Sequence, residues 1–350
     1  MSKTEWKEYN FDEICINFDK KRIPLSSQER SGRQGSYRYF GAQGVIDYID
    51  DFIFDGDYIL LAEDGENLKS RKQSLVQRVS GKFWVNNHAH ILSGNEICST
   101  EFLYYLLTNL DFTPFITGSA QPKLSQQSLS KIFVKVPPLA EQQRIAKILS
   151  SLDEKIELNN VINRNLEEQV KTLYTKLFVK ERNGKESLLG ELISIKYGKD
   201  HKKLSDGQYP VYGSGGIMRY VDQFLYDQES VLIPRKGSLN NVMYVNEPFW
   251  SVDTMFYTEM KRPNIAKYIF IFLSDQNLES LNAGSAVPSM TTDILNAMKI
   301  LIPDDDVLTE FEDIAAPIYR KITDNTRENK ELASIRDSLL PRLMSGDLEV

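Results

Sequence analysis

The sequence predicts an α+β protein: two strand-rich globular domains are separated by two long helices that form an antiparallel coiled coil, with an internal pseudo-twofold repeat. Two observations predict this class. The two halves of the 350-residue chain are similar to each other, and each half ends in a heptad pattern. The length fits roughly two domains of about 100 to 200 residues each. We expect a first domain over residues 1–137, a helix over 138–182, a second domain over 183–303 and a second helix over 304–350.

The repeat is visible without gaps over its first part. Residues 37–65 match residues 209–237 at an offset of 172, and 9 of the 29 positions are identical. The offset then falls to 166, so that Phe83-Trp84 corresponds to Phe249-Trp250. A repeat of this length indicates two copies of one folding unit. The change of six predicts a shortened loop between residue 237 and Phe249.

Short β-branched and aromatic runs punctuated by glycine open each copy, a pattern typical of strands joined by turns. The predicted strands are Val45–Ile49, Asp57–Leu61, Gly216–Val221 and Ser230–Ile233. A helix is expected later in each copy, over 99–110 and 265–274.

Each copy closes with a predicted coiled-coil helix. From Ile145 to Leu177, apolar residues recur at alternating steps of four and three, as in a heptad seam, and the pattern returns over Phe311–Leu343. A helix over 140–180 would be roughly 60 Å long at 1.5 Å per residue. We therefore expect a spacer of fixed length between the two domains.

Asparagines interrupt both seams at the same two places. They are Asn159, Asn163, Asn325 and Asn329. If the helices pack antiparallel with their centres aligned, these amides form a buried layer that fixes the register, because a slip would set amides against leucines. The alternative is that the asparagines are partly exposed.

Composition indicates the compartment. Cys15 and Cys98 cannot build a disulfide framework, the N-terminal segment lacks the apolar core of a signal peptide, and no stretch is apolar enough for a membrane span. We expect a cytoplasmic chain with no membrane contact.

The net charge of −7 is unevenly distributed. Residues 304–350 carry −6 of it, so the first 303 residues are nearly neutral at −1. Within them, Lys20–Arg38 holds six basic residues against one acid, and Lys69–Lys82 holds five against none. Clustered bases of this kind are what phosphate binding requires, although a solvated surface is the alternative.

Catalytic and cofactor motifs are missing from the sequence. There is no Walker loop, no Gly-x-Gly-x-x-Gly and no Asn/Asp-Pro-Pro-aromatic motif of an amino-methylating enzyme. His88 and His90 alternate on a predicted strand and could face one side, but with no cysteine nearby we expect no metal site. Asp304–Asp306 is best explained as a solvated turn before a helix. The sequence therefore predicts a chain that has no cofactor and does not act as a transferase alone.

Two loops repeat a Gly-Ser-Ala-x-Pro pattern, at 118–125 and 284–291. Glycine and proline fix an unusual backbone, and small hydroxyl residues donate hydrogen bonds with little bulk, which suits contact with a phosphate or a base edge. A structural turn and a DNA-contacting loop both remain open on these residues alone.

Three of these segments carry a family resemblance. They are Pro137–Leu149 at the entry to the first heptad segment, Leu332–Gly346 at the end of the second, and the loop at 118–125. With them, nearly the whole chain resembles the specificity subunit of a type I restriction-modification system. The resemblance implies two target recognition domains, each of which reads one half of a split double-stranded DNA sequence. It also implies that the paired helices act as a ruler and dock two modification (methyltransferase) subunits. A restriction/translocase subunit joins through the complex, and all catalysis belongs to other chains.

On this reading, lysines and arginines of the two heads position phosphates, and polar side chains approach bases. The candidate DNA-contacting residues are Arg30, Arg33, Arg38, Lys69, Arg71, Lys72, Arg78, Lys82, Gln121, Lys123, Ser125, Lys199, Lys202, Lys203, Arg219, Arg235 and Lys236.

The two copies depart from each other at two places. Residues 62–65 carry two acids where residues 234–237 carry two bases, so the two tips cannot approach phosphate equally. The run Gln142–Ile145 is also lost from the second copy, which predicts docking surfaces of different strength for the two modification subunits.

Two other functions are weighed against this one. The first is a scaffold whose repeated heads bind proteins rather than DNA. The second is a self-contained restriction enzyme that uses Asp304–Asp306.

Overall fold

The structure, a computed structural model, describes residues 5–181, 184–281 and 289–350. It divides into two compact units. The first unit comprises Met1–Leu158 with Arg327–Val350, and the second comprises Asn159–Thr326. We call residues 5–137 head 1 and residues 184–303 head 2.

Head 1 is built mainly from short strands. The strands are β1 (Lys7–Asn10), β2 (Cys15–Asn17), β3 (Gln34–Gly41), β4 (Gly44–Ile49), β5 (Phe54–Asp55), β6 (Tyr58–Ala62), β7 (Val76–Val79), β8 (Lys82–Val85), β9 (Ala89–Gly94) and β10 (Phe133–Val136). The helices of the head are α1 (Phe11–Ile14), α2 (Ser27–Ser31), α3 (Asn67–Ser70), α4 (Thr100–Asn109) and α5 (Gln126–Leu129). The strands form sheets in the orders β2-β9-β6-β7, β4-β3-β8-β5 and β1-β10.

Head 2 repeats this plan. Its strands are β11 (Lys185–Leu188), β12 (Ile193–Tyr197), β13 (Asp206–Gly213), β14 (Gly216–Val221), β15 (Ser230–Pro234), β16 (Met243–Val245), β17 (Trp250–Ser251), β18 (Met255–Met260) and β19 (Lys299–Ile302). Its helices are α7 (Ala266–Ser274) and α8 (Thr292–Asn296), and its sheets are β12-β18-β15-β16, β14-β13-β17 and β11-β19. The long helix α6 (Leu139–Tyr174) lies between the heads in sequence, and α9 (Asp305–Met344) follows head 2.

The predicted class is confirmed by these elements. Each of the four predicted strands and both predicted head helices is present, with ends that differ by a residue or so. The helix predicted over 140–180 is present as α6 followed by a π-helical segment, Thr175–Lys180. Pro137 and Pro138 precede α6, a position where proline favours a helix start because its missing N–H would be unpaired there anyway.

The repeat extends to the backbone pairing. In the β3–β4 hairpin the register shifts between Gln34 and Tyr37 and again between Tyr39 and Phe40. The β13–β14 hairpin shifts at the same places, 172 residues later. Such bulges bend a strand and re-aim its side chains, so both heads carry the same local geometry.

The six-residue difference between the copies lies earlier than Phe249. Leu60 pairs with Gln77 in head 1, and Leu232 pairs with Met243 in head 2, so the offset has already changed at Met243. Head 1 contains the whole of α3 and the basic residues after it in this interval. Head 2 has only a short connection there.

Each unit has one main core that joins a head to both long helices. In the first unit, Phe102 of α4 packs in one cluster with Leu149 of α6 and Leu343 of α9. In the second, Tyr268 of α7 shares a cluster with Tyr174 of α6 and Phe311 of α9. Burial of apolar surface stabilises by roughly 25 cal/mol per Å², so these clusters attach each head to its helices.

The long helices run antiparallel within each unit. Arg336 of α9, which interrupts the seam in sequence, donates to Asp153 of α6 at 2.7 Å. In the second unit, Asn325 Nδ2 donates to Asn163 Oδ1 at 2.8 Å. Asn159, Asn163 and Asn325 are each no more than 9% exposed, which excludes the partly exposed alternative for these three.

No helix in the described part of the chain combines the length and apolar character that a bilayer crossing requires.

Candidate nucleic-acid interface

The Gly-Ser-Ala-Gln-Pro loop of head 1 is a tight, closed turn. Thr117 and Lys123 each donate a backbone N–H to the other's carbonyl at 2.8 Å. Gly118 has a φ of 81°, and a Cβ there would lie 2.2 Å from the Gln121 carbonyl oxygen, so the turn requires glycine. Gln121 is exposed, and Ser125 caps the helix α5 that follows.

This loop packs against the tip that follows β6. The Leu124 N–H donates to the Glu63 carbonyl at 2.7 Å, and the Gly65 N–H donates to the Pro122 carbonyl at 3.2 Å. Lys69 of α3 donates from Nζ to the loop carbonyl of Ser119 at 3.0 Å. The loop, the tip and the basic helix α3 therefore form one surface of head 1, which we call the loop face.

A buried charge network lies beneath the loop face. His90 is 1% exposed, and its Nδ1 lies 2.6 Å from Asp19 Oδ2, while its Nε2 lies 2.7 Å from the Leu124 carbonyl. Arg22 donates from Nη1 to Glu63 Oε2 at 2.6 Å. Because one bond reaches the loop backbone directly, the network fixes where the loop sits.

The contacts of His90 fix the orientation of its ring. Both ring nitrogens face oxygens, and the backbone carbonyl can only accept, so Nε2 carries a proton. Burial acts to raise the pKa of Asp19, but its interactions with His90, with the Ile91 N–H and with Arg22 together hold the pKa of this carboxyl below its usual value. Burial likewise acts to raise the pKa of Glu63, but its interactions with Arg22, His90 and Lys123 together bring the net shift downward.

Asp19, Glu63 and His90 also have the chemistry of a metal-ligand set, with candidate ligand atoms within 4.8 Å of one another. The residues do not fit a metal. Both imidazole nitrogens are already hydrogen-bonded, and the guanidinium of Arg22 contacts both carboxylates, at 3.5 Å and 2.6 Å. The cluster is an anchor for the loop.

Head 2 replaces this network by rings. The counterparts of Asp19, Glu63 and His90 are Tyr197, Arg235 and Phe256. The rings of Tyr197 and Phe256 are 5.0 Å apart, and the guanidinium of Arg235 lies 5.3 Å from the Tyr197 ring centre. The Met290 N–H still donates to the Arg235 carbonyl at 2.9 Å, as Leu124 does to Glu63. The backbone contact is kept, and the side chains beneath it are exchanged.

Six of the predicted DNA-contacting side chains are ion-paired within their own head. The pairs are Arg30–Asp47, Arg33–Asp50, Arg71–Asp111, Arg78–Glu101, Lys123–Glu63 and Arg219–Asp206. Arg30 is also mostly buried and lies over the Tyr39 ring at 5.1 Å. These side chains offer less positive charge to a phosphate than their sequence positions predict.

The other predicted basic residues have no ion pair within residues 5–181, 184–281 and 289–350. They are Arg38, Lys69, Lys72, Lys82, Lys199, Lys202, Lys203, Arg235 and Lys236. Lys69 belongs to the loop face of head 1, and Arg235 and Lys236 form the equivalent tip of head 2. Arg38 lies on β3 instead and donates to the Ser80 carbonyl at 2.5 Å. The set therefore does not converge on one patch in each head.

Two other sequence interpretations change. The prediction that His88 and His90 share a strand is wrong, because β9 begins at Ala89 and His88 pairs with Asp64 at 2.8 Å outside it. Asp305 and Asp306 begin α9, where acids favour the helix dipole, and Asp305 pairs with Arg262. Of the second Gly-Ser-Ala loop, residues 284–288 lie outside the described residues.

The run Gln142–Ile145, expected to contribute to a docking surface, is half core. Gln142 is fully buried: its Oε1 accepts from the Ser99 N–H at 2.9 Å, and its Nε2 donates to the carbonyls of Ile97 and Pro137. Ile145 is fully buried too. The loss of the run Gln142–Ile145 from the second copy is therefore in part a change of internal packing.

The buried network of head 1 was not predicted from sequence. Asp19, Glu63 and His90 are far apart in the chain, and each is unremarkable alone. The signal that could have found them is the repeat itself, since a charged residue aligned with an aromatic one, as His90 is with Phe256, marks a changed core.

A sequence model of the type I restriction modification DNA specificity domain matches the chain twice, over residues 3–168 and 182–333. The chain belongs to this DNA specificity family. The two matches coincide with the two copies of the repeat, so each head with its following helix corresponds to one specificity domain.

Individual specificity subunits are similar to this chain in sequence and in fold. A putative type I restriction enzyme specificity subunit of Haemophilus influenzae, S.HindORF215P, is 38% identical over 151 residues, which cover 43% of this chain and only 38% of that protein. The MjaIX specificity subunit of Methanocaldococcus jannaschii is 23% identical over 302 residues, covering 72% of this chain and 69% of that one. The crystal structure of a type I restriction-modification S subunit from M. genitalium has the same fold, with a TM-score of 0.66, 20% identity and coverage of 98% and 97%.

Proposed function

We propose that the chain is the DNA sequence-specificity subunit of a type I restriction-modification complex and is not itself catalytic. The observation that carries this proposal is the double match to a DNA specificity domain, one per copy of the repeat. The two heads share a backbone plan but differ in the side chains at and beneath the loop face. Heads of this kind suit a split target whose two halves differ in sequence.

Its partners in this proposal are double-stranded DNA, two modification subunits, and a restriction/translocase subunit that joins through the complex. The proposal is tested by gel-shift competition between a specific and a scrambled duplex, with the modification subunit present. A preference for one duplex is expected. Equal competition by both would favour a protein-binding scaffold instead.

Catalysis is tested separately. The pure chain is incubated with DNA, magnesium and a methyl donor, and neither cleavage nor methylation is expected. Either product from this chain alone would overturn the assignment and return attention to Asp304–Asp306.

Phosphate contacts are proposed for the basic residues of both heads, and the loop face of head 1 gives the sharpest test. Arg71→Ala with Lys72→Ala should weaken binding to all sequences and reduce the salt slope by about one per lost contact. Arg320→Ala with Lys321→Ala, two exposed bases on α9, is the matched control and should leave the slope unchanged. An unchanged slope in the loop-face variant at equal stability would remove these residues from the footprint.

The four seam asparagines are proposed to fix the helix register. Asn325→Leu leaves the amide of Asn163 without its 2.8 Å partner and should destabilise by about 1–3 kcal/mol. The double variant with Asn163→Leu should regain stability but lose the unique register, measured by disulfide trapping between cysteines placed along the two helices. A single trapped register in the double variant would contradict the proposal.

We also propose that the paired helices set the gap between the half-sites. One heptad inserted into each helix, after Val161 and after Arg327, should lengthen the gap in the methylated sequence. An unchanged gap would mean that the helices are not the ruler.

A further inference from the structure

The β4 and β14 strands expose apolar side chains at repeat-equivalent positions. Val45, Ile46 and Tyr48 of β4 are 40%, 52% and 51% exposed, and Ile217, Met218 and Tyr220 of β14 are 38%, 60% and 39% exposed. The positions correspond one to one at the offset of 172. We call these two sets the hairpin patches.

Nothing else in the described chain is repeated in this way. The other exposed large apolar side chains have counterparts that are polar or less exposed. For example, Phe133 is 63% exposed and corresponds to Lys299, and Leu158 is 53% exposed and corresponds to Asp324. Exposed apolar residues scattered singly are ordinary, but the same trio exposed in both copies is not.

The shape of the patches is repeated too. A Cβ on Gly41 would lie 3.1 Å from Ile46 Cγ2, and a Cβ on Gly213 would lie 2.5 Å from Met218 Sδ. In each hairpin a glycine on one strand thus lets the exposed side chain of the other lie flat across it. The same pleat and bulges place both patches identically within their heads.

Apart from Arg38, which pairs with Tyr48 across the β3–β4 hairpin and lies over the Phe40 ring at 5.4 Å, the patches carry little free charge. The polar side chain in the middle of each strand is neutralised within its own head, Asp47 by Arg30 at 3.0 Å and Arg219 by Asp206 at 2.9 Å. The sign at this position is opposite in the two heads, yet each charge is paired within its own head. A neutral apolar surface is poorly suited to phosphate and well suited to a protein partner.

The strands are also edges. In the described structure β4 pairs only with β3, and β14 only with β13, so one side of each backbone has no strand beside it. Exposed edges with apolar side chains are a common template for a second polypeptide, which can add a strand or pack across them.

From these observations we propose that the hairpin patches bind the same protein twice, and that this protein is the modification subunit. Surfaces that differ between the heads and surfaces that repeat in both heads suit different partners. DNA half-sites differ, so the surfaces that read them differ between heads, as the loop face does. A surface kept in both heads meets something identical in both halves of the complex. This inference rests on the proposed function, which supplies two copies of one subunit.

The test uses the full chain assembled with the modification subunit and native mass spectrometry of the complex. Ile46→Glu and Met218→Glu should each weaken the binding of one of the two modification subunits by about tenfold or more, as loss of an interface hot spot does. Each single variant then carries one subunit at concentrations where the wild-type chain carries two. The double variant carries none.

Phe133→Glu is the matched control, because it places the same charge on a more exposed apolar residue that the repeat does not keep. It should leave two subunits bound. All substituted side chains are exposed, and an unchanged circular dichroism spectrum and Tm verify that each variant folds.

The outcomes separate the two proposals. If the wild-type chain binds no modification subunit, the proposed function fails. If the wild-type chain binds two and the double variant binds two with equal affinity, the inference fails. It fails equally if the hairpin variants lose DNA binding while keeping both subunits, because the patches would then contact DNA.

Discussion

The two heads share strand order, register and bulges, but they bury their charges in different places. Head 1 buries a histidine ring, a guanidinium and two carboxylates beneath its loop, where head 2 has Tyr197, Phe256 and Arg235. At the junction with the long helices, head 2 is the one that buries a charged side chain, a lysine. Head 1 has an exposed ion pair at the equivalent place.

That lysine is Lys267 of α7, which is 2% exposed. Its Nζ lies 2.8 Å from Glu229 of head 2 and 2.7 Å from Glu312 of α9. The repeat counterpart of Lys267 is Glu101, which pairs with Arg78 at 3.2 Å near the surface. The backbone plan tolerates either arrangement, so side chains inside the two heads can diverge while the fold is kept.

The largest expected effect comes from breaking the junction of head 2. Lys267→Met removes the buried cation, leaves the mostly buried Glu312 and the partly exposed Glu229 without their partner, and should cost about 3–5 kcal/mol. The matched change in head 1, Glu101→Gln, removes an exposed pair and should cost at most about 1 kcal/mol. Hydrogen exchange of α7 and α4 measures both, and equal losses in the two heads would contradict the contrast.

A smaller effect is expected beneath the loop of head 1. His90→Phe removes the hydrogen bonds to Asp19 and to the Leu124 carbonyl. Asp19 Oδ2 keeps the 3.2 Å hydrogen bond from Asn17 Nδ2, whereas the Leu124 carbonyl loses its side-chain partner, and a buried acceptor left alone costs about 1–3 kcal/mol. Hydrogen exchange should rise in β9 and in residues 117–125.

Adding Asp19→Tyr to His90→Phe copies the Tyr197–Phe256 pair and should recover part of the loss. If the double variant is less stable than the single one, the two heads are not interchangeable at this site.

The smallest effect is a pH dependence of the network beneath the loop of head 1. The folded pKa values of Asp19 and Glu63 lie below their unfolded values, so these groups bind fewer protons when folded. Their contribution is therefore complete above the unfolded pKa values near 4 and is lost as pH falls through the lower folded values. Between pH 6 and pH 3, exchange of β9, corrected for the intrinsic rate, should increase more than in the variant Asp19→Asn. An identical rise in that variant would assign the acid sensitivity elsewhere.

Much of the fold could be predicted from sequence because it rests on periodic signals. The heptads from Ile145 and from Phe311 predict α6 and α9, and glycine-punctuated β-branched runs predict strands such as β4 and β14. The repeat adds strength, since each element is indicated twice.

The side-chain arrangement could not be predicted in the same way. Arg30 and Arg219 looked like DNA ligands, but each has a carboxylate partner on another element: Arg30 of α2 pairs with Asp47 of β4, and Arg219 of β14 pairs with Asp206 of β13. Gln142 looked like a surface residue of a docking run, but it satisfies three backbone groups of the first unit. Local sequence carries no information about such long-range partners.

The central claim is that each head reads its own half of a split target through its loop face. It is tested most directly by replacing residues 66–75 of head 1 with the four residues Ser238–Asn241 of head 2. The target is then mapped as the methylated sequence of cells that express the assembled complex. We expect a changed or relaxed sequence in one half-site, with the other half-site and the gap unchanged. A change in both half-sites, or in neither, would contradict it.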